Sequence, residues 1–84
     1  MPKERMTERT QHVLDQLPQH RHALRERMLV DREFRSLCED YGDAFEALRR
    51  WEVSDDRHRR ERIEEFGRLL LELESEIRGE LGIR

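Results

Sequence analysis

From residue 31 to residue 52 the chain reads DREFRSLCEDYGDAFEALRRWE, where Phe34, Tyr41 and Leu48 recur at intervals of seven and Leu37, Ala44 and Trp51 form a second such series. Both series fall on one face of an α-helix, because an α-helix nearly repeats after seven residues whereas a strand alternates every two. Cys38 and Phe45 widen the stripe along one side, the breadth of a helix that packs against more than one neighbour. Asp31 predicts the N-cap, and Glu33 places a carboxylate in the first turn, at the positive end of the helix dipole. Gly42 interrupts this helix at a cost of about 1 kcal/mol relative to alanine. It marks either the close approach of another helix or nothing.

A second stripe runs through Ile63, Phe66, Leu70, Leu73 and Ile77, spaced three, four, three and four, with Leu69 and Leu81 broadening it. Helix is again the pattern that fits. Gly79 and Gly82 supply stop signals. The interval from Leu48 to Ile63 leaves the two stripes only about 60° apart on a continuous helix, so phase alone permits one long helix. Val53, Ser54, Asp55 and Asp56 argue for a turn there: a β-branched residue is followed by three good N-cap types. The expected helices are 31–53 and 55–81, with Trp51 near the turn, covering the top of a shared core. Upstream, Val13, Leu14 and Leu17 suggest a short helix ended by Pro18, and Ala23, Leu24, Met28 and Leu29 another, out of phase with Phe34, so that a break is expected near Val30. The fold class predicted is all-α: an antiparallel helical hairpin (31–84) with a short N-terminal helical arm (1–30), its first dozen residues loose, completing a helical bundle by dimerisation.

The stretches DREFRSLCEDYGDAFEALRRWE and EEFGRLLLELESEIRGEL resemble the small YdcH-like helical hairpins of unknown function. In that family a helix of the form F..L...Y......I.R.E pairs with a strongly charged one ending in L.LE.EI. The resemblance covers about half of the chain. This sequence departs from the family in using Arg and Glu rather than Lys in the second helix, and in the thirty or so residues before the first. The resemblance implies a hairpin fold and a bacterial origin, and it brings no active-site residues with it.

Composition narrows the function. Of 84 residues, 44% are charged and 35% apolar, so one small domain without a large enclosed pocket is expected. The net charge of -3 gives no global pull toward nucleic acid or anionic lipid. The basic residues are Arg except for Lys3, a bias typical of a GC-rich genome rather than of phosphate binding. The opening MPKERMTERTQ lacks the apolar run of a leader, and the longest apolar run, Leu69 to Leu71, is far too short to span a bilayer, so a cytoplasmic protein is expected. Cys38 has no partner for a disulfide, which fits a reducing compartment, and its place on an apolar face suits a small buried thiol.

The candidate chemistry is sparse. In RHRRER, Arg57 to Arg62, i,i+4 spacing pairs Arg57 with Glu61, Arg60 with Glu64 and Glu64 with Arg68, which reads as a solvated face; nucleic-acid binding through Arg57–Arg62 is the alternative reading. His20 and His22 lie two apart and point in different directions on a helix, with His12 and His58 elsewhere, so no metal site is assigned. No nucleophile elbow or glycine-rich loop occurs, and no catalytic residue or cofactor is assigned. What remains is apolar surface. The stripes are wider than one partner helix covers, so Phe34, Cys38, Tyr41, Phe45, Leu69 and Leu81, together with Trp51 and Phe66, are the candidate interaction residues. The N-terminal arm folded back, a second copy, or another protein's helix could cover them. The expected function is a non-enzymatic interaction module that dimerises and binds a protein partner.

Overall fold

The computed structural model describes residues 8–83, and within them the fold is all-α. Helix α1 spans Glu8–Gln16, a 3-10 turn covers Pro18–His20, α2 spans Arg21–Val30, α3 Arg32–Glu52 and α4 Arg59–Leu81.

Each boundary follows from local chemistry. Pro18 lacks the N–H that would continue α1 and pushes Leu17 off the helical region, to φ -124° and ψ 60°. The break expected near Val30 is a single extended residue, Asp31, at φ -133° and ψ 103°. Asp31 closes α2 and opens α3 at once. Its backbone N–H donates to the Arg27 carbonyl at 2.9 Å, while its carboxylate accepts from the Phe34 N–H at 3.0 Å and from Arg27 Nε at 2.9 Å. The Phe34 N–H and then the Arg27 guanidinium hold the Asp31 carboxyl below its ordinary value.

The chain reverses after Glu52, so α3 and α4 form an antiparallel hairpin. The second helix starts at Arg59, four residues later than the spacing of N-cap types suggested. Ser54 Oγ accepts from the Asp56 N–H, the Asp56 carboxylate accepts from the His58 N–H at 2.7 Å, and the Asp56 carbonyl accepts from Arg59. These bonds hold 53–58 as a turn rather than a first helical turn. Across it the Arg59 guanidinium donates to the Glu52 carbonyl at 2.7 Å, satisfying an orphan acceptor at the end of α3. Helix α4 ends where Gly82 takes the left-handed conformation, φ 74°, and the Ile83 N–H reaches back to the Arg78 carbonyl.

Helix α3 is the central element, with α4 along one side and α1 and α2 along another. The core joins Val13, Leu14 and Leu17, Leu24 and Met28 of α2, Phe34, Cys38, Tyr41 and Ala44 of α3, and Leu73 and Ile77 of α4. Gly42 marks the crossing of α1 over α3: a Cβ there would overlap the Arg9 carbonyl. Polar ties fasten the arm at both ends. The Arg9 guanidinium forms a two-pronged pair with Asp43, both contacts at 2.9 Å, and Arg27 reaches the carboxylate and carbonyl of Glu80 at 2.8 and 2.7 Å. His12 bonds Glu46 at 2.6 Å and stacks on Phe45 with ring centres 4.5 Å apart. Residues 8–12 are thus helical and docked; the rest of the loose segment expected at the start of the arm lies outside the described residues.

Candidate interaction surface

The docked arm divides the predicted site residues. Phe34, Cys38 and Tyr41 are buried in the monomer, at 3%, 0% and 4% exposure, beneath α1 and α2 and against the C-terminal half of α4. Of the three covers that the sequence leaves open, the folded-back arm is the one that lies over these residues, which makes them core of the monomer and takes them out of the candidate interaction surface. Burial, and secondarily Glu39, pushes the Cys38 thiol up to about 12, so it stays protonated at neutral pH. Burial likewise raises the Tyr41 phenol, with a smaller contribution from Glu74. Phe45 is half-buried under His12, with the Arg49 guanidinium 5.9 Å from its ring centre. Trp51 is half-buried, beside the turn.

Phe66 and Leu69 are brought together. They line an open groove between α3 and α4, of about 320 Å³, with Ala44, Leu73, Asp40 and Asp43. The groove exists because α3 presents a small side chain, Ala44, where α4 presents Phe66, Leu69 and Leu73, so the helices meet below it and leave its floor apolar. Leu69 is 38% exposed there. Among the flanking carboxylates, Asp43 is paired with Arg9, while Asp40 has no salt bridge to any described residue. Toward the Arg end of α4, Arg62 pairs with Glu65 at 2.7 Å.

Leu81 lies elsewhere, in a shallow depression of about 600 Å³ between α2 and the C-terminal end of α4, with Ala23, Glu26, Arg27, Leu29 and Val30. Leu29 and Val30 are 73% and 82% exposed. Of the residues that predict α2, Leu24 and Met28 are buried and Leu29 is not: Leu29 and Val30 follow Met28 by one and two steps of about 100°, which turns both away from the face of Leu24 and Met28.

The basic stretch does not make the pairs expected of it. Arg57 precedes the helix, so it does not face Glu61; His58 approaches Glu61 at 3.6 Å instead, Arg59 is bound to the Glu52 carbonyl, and Arg62 to Glu65. Among the described residues no group of three or more His, Cys, Asp and Glu side chains is arranged to hold a metal ion; His22 pairs with Glu26 at 3.2 Å. None of the described helices is long and apolar enough to cross a membrane.

The described residues form a small four-helix fold with an apolar groove on its hairpin and a second apolar exposure at the end of α2. Compared with known proteins, the chain matches no family model, no curated protein and no solved structure.

Proposed function

We propose that this protein is a small, non-enzymatic interaction module of the cytoplasm that self-associates as a dimer and binds another protein through helical apolar surface. The observation that carries the reading is the α3–α4 groove, where Phe66 and Leu69 of α4 stay accessible although Phe34, Cys38 and Tyr41 of α3 are buried within the monomer. An aromatic and a leucine left open between two helices form the kind of surface that a further helix fills. The hairpin is also the part in which the chain resembles the YdcH-like family, a resemblance that brings no active-site residues with it. A lone, buried Cys38 suits a reducing compartment.

The nucleic-acid alternative draws less support. Two of the four arginines in 57–62 are held by Glu52 and Glu65, and no Phe, Tyr or Trp lies among them for bases to stack on. Sedimentation equilibrium over a wide concentration range tests self-association. A concentration-dependent rise from monomer to dimer mass is expected, and a strictly monomeric chain at high concentration that also captures no protein from its native lysate would overturn the proposal.

A further inference from the structure

The groove side of α4 carries a periodic seam that shares Phe66 and Leu73 with the stripe packed on α3 and adds the exposed Leu69. Arg62, Phe66, Leu69, Leu73, Glu76 and Glu80 follow at intervals of four, three, four, three and four, the spacing of a helix–helix seam. Its middle is apolar and its ends carry opposite charge. The helix as a whole leans the same way: in its first half Arg59, Arg60, Arg62 and Arg68 slightly outweigh Glu61, Glu64 and Glu65, and in its second half Glu72, Glu74, Glu76 and Glu80 outweigh Arg78. The hairpin adds to it. Because α3 and α4 run antiparallel, Asp40 lies toward the Leu73 end of the groove, so a further carboxylate joins Glu76 there.

We infer that the occupant of this groove is a second copy of the chain, docked by its own α4 in antiparallel register about a two-fold axis at Leu69. Reversing the copy places Leu69 against Leu69 and Phe66 across from Leu73. It also sets Arg62 of each copy against Glu76 of the other, so every favourable contact occurs twice. A parallel pairing sets Arg62 on Arg62 and Glu76 on Glu76, and repulsion at both ends opposes it. The arginine has donors to spare, because its bond to Glu65 uses one of its nitrogens and leaves others for a carboxylate of the partner. Glu76 is exposed and has no salt bridge to any described residue. The charge pattern selects a copy of this chain over a uniformly basic helix, which would be attracted at Glu76 and repelled at Arg62.

This inference rests on the self-association proposed above and locates its interface. The test uses the full chain with Leu69→Cys, oxidised under mild conditions, beside Leu71→Cys, which lies on a different face of α4 and is 69% exposed. The native Cys38 is fully buried. We expect disulfide-linked dimer from Leu69→Cys at least about tenfold faster than from Leu71→Cys, since residues on a two-fold axis adjoin their own copies. Arg62→Glu and Glu76→Arg should each weaken the dimer roughly tenfold by sedimentation, and the double variant should restore it. A dimer in which Leu69→Cys links no faster than Leu71→Cys and the double variant does not recover overturns the interface and leaves self-association standing. A chain that stays monomeric overturns both.

Discussion

Gly42→Ala should destabilise the protein even though alanine is the better helix former. In isolation the change contributes about 1 kcal/mol to a helix interior. Here the added methyl would overlap the Arg9 carbonyl, a backbone atom that cannot rotate away, so α1 must retreat from α3. Overpacking of that kind costs about 1–3 kcal/mol, and the retreat loosens the contacts that Val13, Leu14 and Leu17 make with the core. The net expectation is a loss on the order of 1–2 kcal/mol. Gly67→Ala is the matched control: it also lies inside a helix, but nothing stands within 4 Å of its Cβ position. It should gain about 1 kcal/mol, or roughly 4–8 °C in Tm for a domain of this size. Thermal and urea unfolding followed by circular dichroism at one fixed protein concentration compares the two, the fixed concentration being needed because association itself adds stability. If Gly42→Ala were as stable as Gly67→Ala, the close crossing of α1 over α3 would be refuted.

Asp31→Ala should lower Tm and flatten the acid side of the stability profile. The folded chain holds this carboxyl below its ordinary value of 3.8, so its contribution is present above that pH and lost as pH falls toward the folded pKa; urea titrations between pH 2 and pH 7 read the difference. Cys38 should alkylate in the native protein roughly a thousandfold more slowly than in the unfolded chain at pH 8, as mass spectrometry after iodoacetamide would show. Stability should also decline as pH rises from the ordinary 9.0 toward about 12, where only the unfolded chain ionises this thiol. Fluorescence anisotropy with single- and double-stranded DNA should show no salt-sensitive binding that Arg57→Glu, Arg59→Glu and Arg60→Glu abolish; loss of such binding in that triple variant would return the basic stretch to the centre of the function.

Helix α3 was legible nearly residue by residue, because two interleaved series seven apart and an N-capping Asp31 leave one solution. Periodicity reports which face of a helix is apolar and says nothing of which neighbour covers it. That is why the spacing of Phe34, Cys38 and Tyr41 leaves three covers possible: nothing in it encodes that α1 crosses at Gly42 and shuts them in. Phe66 and Leu69 were legible for the complementary reason, since they sit on α4, which the short arm barely reaches. The turn was placed correctly but ended too early. Ser54, Asp55 and Asp56 are all capable caps, and composition does not reveal that Asp56 bonds the His58 N–H within the turn and thereby postpones α4 to Arg59.

The shortness of the joints bears on how quickly the chain finds its fold. Only Asp31 separates α2 from α3, residues 17–20 separate α1 from α2, and 53–58 separate α3 from α4. The α3–α4 hairpin therefore closes a small loop, which sacrifices little chain entropy, whereas the docking of α1 on α3 joins Arg9 to Asp43, 34 residues apart, and closes a longer one. Loop entropy grows only slowly with length, so the added cost is small, and the hairpin is the more local of the two closures. Until that longer loop closes, Phe34, Cys38 and Tyr41 stand open, and once it has closed the exposed apolar surface is reduced to the α4 edge and the end of α2.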